Sequence, residues 1–215
     1  MFHLFEKIYF TKNNYSYTIS LTIKNKLVYK GEAMTKSLKE LILAAEFAAI
    51  IAVLSQFTFP LGLIPLTGQT FAIGLTATFL GKRTGTVSVL IYLLLGLIGL
   101  PVFSGMSGGI GVLFGPTGGY LIGFIVQSWL IGYIMEKIGS SYPPTISANL
   151  VGSAAALCCG MLWLMISSRL SLHTAFLSGF LPFIIPEAIK SIAAASVGLF
   201  LKKRLSRLQL FSMDK

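Results

Sequence analysis

The chain reads as a succession of long apolar runs separated by short breaks that are polar or carry proline and glycine. A helix crossing the hydrocarbon core needs about 20 mostly apolar residues, fewer where neighbours shield its ends. By that measure the runs are Leu38–Phe57, Thr67–Leu80, Thr84–Leu100, Gly118–Lys137, Ile146–Ser168 and Thr174–Leu201. The second is short for a full crossing. It follows Phe59-Pro-Leu-Gly-Leu-Ile-Pro-Leu-Thr67, whose two prolines favour an extended, re-entrant segment covering part of the depth.

The positive charges test this count. Lys36 and Lys39 precede the first run, Lys82 and Arg83 join the second to the third, Lys137 follows the fourth, and Lys202, Lys203, Arg204 and Arg207 follow the sixth. Six crossings put all of them on one side of the membrane. The opposite connections, 57–66 and 101–117, hold no Lys or Arg, and the loop between the fifth and sixth runs holds only Arg169. The positive-inside rule then makes both termini cytoplasmic. The expected architecture is an all-α membrane protein of six transmembrane helices.

Composition agrees: 54% of residues are hydrophobic and 11% charged, against roughly 25% charged in a soluble domain. The net charge of +10 is explained by topology, because the basic residues fall between and after the apolar runs rather than on an aromatic-interleaved face suited to nucleic acid. Residues 34–215 form one membrane domain. Residues 1–33 differ, being rich in Phe, Tyr, Lys, Asn and Ile and lacking the apolar stretch and cleavage site of a signal peptide. Lys30-Gly-Glu32 can be encoded by a ribosome-binding sequence ahead of Met34, so translation is expected to start at Met34.

From Thr84 to Met135 there is no Asp, Glu, Lys or Arg, and seven glycines fall between Gly105 and Gly119. Irregular backbone at membrane depth is tolerated where it is buried in protein or lines a polar cavity, so this outward-facing passage is a candidate binding loop. Catalysis has little to work with. Beyond the N-terminal segment the acids are Glu40, Glu46, Glu136, Glu187 and Asp214, with His173 the one histidine; no metal-ligand spacing or nucleophile–histidine–acid set emerges. Cys158 and Cys159 sit side by side in an apolar run and read as small core residues. Gly81-Lys82 is not a phosphate loop, because the position five residues earlier is Thr76 and the next residue is Arg83. The chain is therefore not expected to be an enzyme or to hydrolyse ATP itself.

Two features stand out. Glu187 and Lys190, in Pro182-Phe-Ile-Ile-Pro-Glu-Ala-Ile-Lys190, share one face of a helix for which Pro186 makes a natural first turn. Ionisable groups at membrane depth usually face the bundle interior, paired with each other or touching a ligand; both readings stay open. Ala44/Ala48 and Ala45/Ala49 are overlapping small-x-x-x-small pairs, suited to close helix approach within the bundle or to another protein.

Ile64-Pro-Leu-Thr-Gly-Gln-Thr70, Phe79-Leu-Gly-Lys-Arg-Thr-Gly85, Tyr92-Leu-Leu-Leu-Gly-Leu-Ile-Gly-Leu-Pro-Val-Phe103 and Gly115-Pro-Thr-Gly-Gly-Tyr-Leu-Ile-Gly-Phe124 occur in order. Together they resemble the BioY family, the biotin-specific substrate-binding (S) components of energy-coupling factor (ECF) transporters. The resemblance implies an S-component fold in a bacterial cell membrane and capture of biotin from outside, beneath the first-to-second and third-to-fourth connections. It implies a membrane coupling subunit and two cytoplasmic ATPases as partners, with biotin as cargo and no cofactor. Ala44, Ala45, Ala48 and Ala49 then become the expected docking face. Many members of the family read Pro-Gly-Asp-x-x-Lys where this chain has Ile185-Pro-Glu-Ala-Ile-Lys190, so Glu187 and Lys190 are expected at the ligand. Thr67, Gln69, Ser107 and Tyr120 are candidate neutral hydrogen-bonders, and Gly108, Gly109, Gly118 and Gly119 would admit close backbone approach. The alternatives are an autonomous secondary permease with Glu187 as proton carrier, and an S component for another vitamin.

Overall fold

The computed structural model describes residues 37–207. The 1–33 extension, Met34 and Lys36 lie outside the described residues. The chain divides between Ile42 and Leu43 into two units; of the first, residues 37–42 are described, as the opening of a helix, and the bundle below is the second.

Helix α1 spans 37–55. Strands β1 (Thr58–Phe59) and β2 (Leu66–Thr67) follow as an antiparallel hairpin, then α2 (Gln69–Leu97), α3 (Gly111–Phe114), α4 (Gly118–Ile138), α5 (Tyr142–Ser167), α6 (Leu172–Gly179) and α7 (Ile184–Arg207). The extended segment expected from the two prolines is thus folded back on itself. The turn between the strands includes Gly62 at φ +70°.

The 29 residues of α2 are two arms. Gly81 stands at φ 78°, ψ −173°, outside helical geometry and in a region open to glycine. Gln69 Nε2 donates to Tyr92 Oη at 2.7 Å, whereas 23 residues of straight helix would separate them by about 35 Å. The chain therefore doubles back at Gly81, within the break expected between Leu80 and Thr84. The last expected run is also interrupted: α6 ends at Gly179, a 3₁₀ turn covers Leu181–Phe183, and α7 begins at Ile184. Pro182 sits in that turn and has no N–H to continue a helical ladder. At α5 the helix begins four residues before the expected Ile146, with proline in its first turn, where the missing N–H is harmless.

Large apolar side chains are exposed along the helices, while several polar ones are buried within a mostly apolar core. Leu150, Val151, Leu162 and Ile166 on α5, and Ile185, Ile189, Ile192 and Phe200 on α7, are exposed, while Thr78, Ser88, Gln127, Asn149, Ser153 and Ser191 are buried. An apolar exterior, with the polar groups kept inside, suits a lipid solvent. Among the described residues, four helical segments are long and apolar enough to cross a membrane: Gln69–Leu97, Gly118–Ile138, Tyr142–Ser167 and Leu172–Arg204.

Basic residues gather at one end. At the α2 bend, Lys82 Nζ pairs with Glu136 Oε2 on α4 at 2.7 Å. The Lys82 and Lys137 ammonium groups lie 5.6 and 6.0 Å from the Tyr133 ring centroid, and that of Lys203 lies 5.0 Å from Tyr142. The bend, the end of α4, the start of α5 and the end of α7 therefore meet there.

Candidate ligand-binding site

A cavity of about 230 Å³ opens among the β-hairpin, the first turn of α2, the connection before α4, and α4, α5 and α7. Ile64, Leu66, Phe103, Leu121, Phe124, Leu157 and Phe183 supply apolar wall. Thr67, Gln69, Thr70, Ser104, Ser107, Thr117, Tyr120, Glu187 and Lys190 supply the polar groups. A few convergent polar groups in an apolar concavity is the usual build of a small-molecule site.

The floor is a closed ring of hydrogen bonds. Glu187, in the first turn of α7, is 5% exposed. Thr70 Oγ1 donates to Glu187 Oε1 at 2.8 Å, and the Lys190 ammonium donates to the same oxygen. Lys190 also donates to Thr70 Oγ1 at 2.7 Å and to the Thr67 carbonyl at 3.0 Å. All three of its protons are thereby engaged with protein. Glu187 Oε2 is buried and has no hydrogen-bond partner. The floor is thus electrically balanced and offers one charge-bearing acceptor, suited to a ligand N–H.

Gln69 and Thr67 form a second strand of this network. Thr67 Oγ1 donates to Gln69 Oε1 at 2.9 Å, and Gln69 passes its own donor to Tyr92. The Tyr120 ring lines the cavity, but its hydroxyl donates to the Gly179 carbonyl at 2.5 Å, tying α4 to the end of α6. Its ring also rests against Gly160 of α5.

The roof is the β-hairpin joined to the glycine-rich connection 98–117. Ser55 Oγ donates to the Val102 carbonyl at 2.6 Å, and Gln56 Nε2 to the Phe103 carbonyl at 3.2 Å. Met106 N–H returns a bond to Gln56 Oε1 at 3.0 Å, and the hydroxyls of Thr58 and Ser104 meet at 2.9 Å. Phe103 packs edge-on to Tyr92, centroids 5.6 Å apart.

Of the residues expected at a site, Thr67, Gln69, Ser107, Tyr120, Glu187 and Lys190 line this one cavity. Gly108, Gly109, Gly118 and Gly119 do not. A Cβ at Gly108 would strike the Leu100 carbonyl, one at Gly118 the Leu113 carbonyl, and one at Gly119 the Trp163 side chain and the Cys159 carbonyl. Gly109 has φ +91° and donates to the Gly96 carbonyl at 2.7 Å. At Gly108, Gly118 and Gly119 the close approach is of the chain to itself, while Gly109 answers to its positive φ. Ser55, Gln56 and Thr70 were not singled out by sequence reasoning; Thr70 closes the first quoted motif, which was its signal, whereas Ser55 and Gln56 lie at the end of an apolar run without one. The alanine pairs divide: Ala44 and Ala48 are wholly buried in this chain, and Ala45 and Ala49 are exposed.

An apolar-surfaced helical bundle with polar groups inside it, closed over a small cavity by irregular segments, defines a membrane protein built to hold a small molecule. The BioY family model matches residues 25–207, and the chain belongs to the BioY family. It is 45% identical over 169 residues to the biotin transporter BioY2 of Lactococcus lactis subsp. cremoris, covering 79% of this chain and 93% of that protein. It is 40% identical over 166 residues to the biotin transporter BioY of Thermotoga maritima, covering 77% and 97%. Its fold matches the crystal structure of the S component for biotin from an ECF-type ABC transporter with a TM-score of 0.74 at 30% identity, covering 79% and 93% of the two chains.

Proposed function

We propose that this chain is the biotin-binding S component of an ECF-type transporter, taking biotin from the outer side of a bacterial cell membrane. The observation that carries the reading is the unpartnered Glu187 Oε2 on the cavity floor. Biotin's ureido ring presents N–H donors that match it, and its thiolane and valeryl chain are apolar like the walls. Lys190 is engaged with protein, so its role is to hold Glu187 oriented. The biotin carboxylate is then met nearer the roof by the Thr117 hydroxyl, because the Ser104 hydroxyl is shared with Thr58 and the Ser107 hydroxyl donates to the Ser104 carbonyl.

The chain crosses the membrane six times, through α1, the two arms of α2, α4, α5 and the α6–α7 segment, with both termini cytoplasmic. The doubling back at Gly81 and the gathering of Lys82, Lys137 and Lys203 at one end support this topology. Energy comes from two ATPase subunits through a membrane coupling subunit. Ala45 and Ala49, exposed one turn apart on α1, are the residues that meet that subunit; Ala44 and Ala48 pack the bundle.

Isothermal titration of the detergent-purified chain with biotin tests the assignment: saturable binding is expected, and its absence would sink it. Ala45→Leu combined with Ala49→Leu is expected to leave that titration unchanged and to abolish uptake in cells supplying the coupling module. Uptake that survives the pair would remove these residues from the docking face.

A further inference from the structure

Beneath the cavity floor lies a side chain that does not line the cavity yet holds a residue that does. Gln127 on α4 is wholly buried and absent from the lining. Its Nε2 donates to the Thr70 carbonyl at 3.1 Å and to Ser153 Oγ at 3.4 Å. A carbonyl can only accept, so the amide must present nitrogen to Thr70 and turn its oxygen away. That oxygen, Gln127 Oε1, has no hydrogen-bond partner. For packing alone an apolar side chain would serve without leaving a buried acceptor unmet, so the bond to Thr70 needs another purpose.

Thr70 is the hub of the floor. Its hydroxyl accepts from Lys190 and donates to Glu187 Oε1, while its carbonyl receives Gln127. Holding the Thr70 main chain fixes the direction from which Oε1 is held, and hence where Oε2 stands at the cavity wall. We propose that Gln127 is a positioning residue for ligand recognition, acting through Thr70 to orient the Glu187 carboxylate. The inference rests on the biotin reading above.

Titration of the purified full chain with biotin in a double-mutant cycle tests it. Gln127→Met, of similar size but without donors, is expected to weaken binding about fivefold, the scale of one net hydrogen bond. In the Glu187→Gln background the same change is expected to cost less than about twofold, because the oriented carboxylate is already gone. Equal losses in both backgrounds, as a purely structural role would give, or no loss in the first, overturn the assignment. If Gln127→Met does not fold, Gln127→Asn keeps the interior polar, withdraws the amide from Thr70 and is read by the same cycle. A flat titration of the unsubstituted chain overturns the biotin reading itself, before any substitution is compared.

Discussion

On the cavity floor, Lys190, Thr70 and Glu187 hold one another through side chains carried on two helices, leaving a single carboxylate oxygen unengaged. On the roof, Ser55 and Gln56 reach main-chain groups of residues 102, 103 and 106, and Thr58 meets Ser104 through neutral hydroxyls. The floor concentrates charge where desolvation makes it strong and its loss costly. The roof relies on many neutral bonds, each of modest net value. On the proposed biotin reading, chemical selection belongs to the floor and closure to the roof.

Substitutions on the floor are expected to have the largest effects. Lys190→Met leaves Glu187 without its cation, and removing one partner of a buried pair costs about 3–5 kcal/mol. Thermal unfolding in detergent should show a strongly destabilised chain, and titration should show no measurable biotin binding. A stable, binding-competent variant would mean that the floor is not organised around this pair. Glu187→Gln is milder. The amide preserves shape and an acceptor for Thr70 and Lys190 but removes the charge, so biotin affinity should fall at least about tenfold, the scale of a hydrogen bond to a charged group. The melting temperature should move much less than in Lys190→Met. Unchanged affinity by titration would transfer recognition from floor to roof.

The division between floor and roof was legible in the sequence to different degrees. Glu187 and Lys190 announced themselves because charge in an apolar run is rare and the i, i+3 spacing puts both on one face. The arms of α2 were also legible, since Lys82 and Arg83 mark a charged break next to the glycine that turns it. Tyr120 was placed at the cavity, but not the bond that commits its hydroxyl to Gly179, because a contact 59 residues away leaves no local trace. Composition shows that backbone in the glycine-rich passage comes close to something; at Gly108, Gly118 and Gly119 the near groups within this chain are Leu100, Leu113 and Trp163, whereas Gly109 answers to its positive φ. Within α1 the overlapping alanine pairs are indistinguishable by spacing, and the helical rotation that buries Ala44 and Ala48 is set by what packs against α1.

Gly96 supplies the gentlest test, directed at the roof. It faces the ring of Phe103, and a Cβ there would fall within that ring; its carbonyl also accepts from Gly109 at 2.7 Å and Gly99 at 3.1 Å. Gly96→Ala must push Phe103 out of its edge-on contact with Tyr92, and such overpacking costs about 1–3 kcal/mol. Phe103 lines the cavity but is far in kind from the charged pair. The expected result is biotin release accelerated about fivefold, by stopped-flow exchange, corresponding to about 1 kcal/mol of weakened closure. Discrimination between biotin and an analogue with one ureido N–H methylated should stay as in the unsubstituted chain, because Glu187 Oε2 has not moved. Loss of that discrimination in Gly96→Ala, to the degree seen in Glu187→Gln, would show that roof and floor act as one unit and that closure itself selects the ligand.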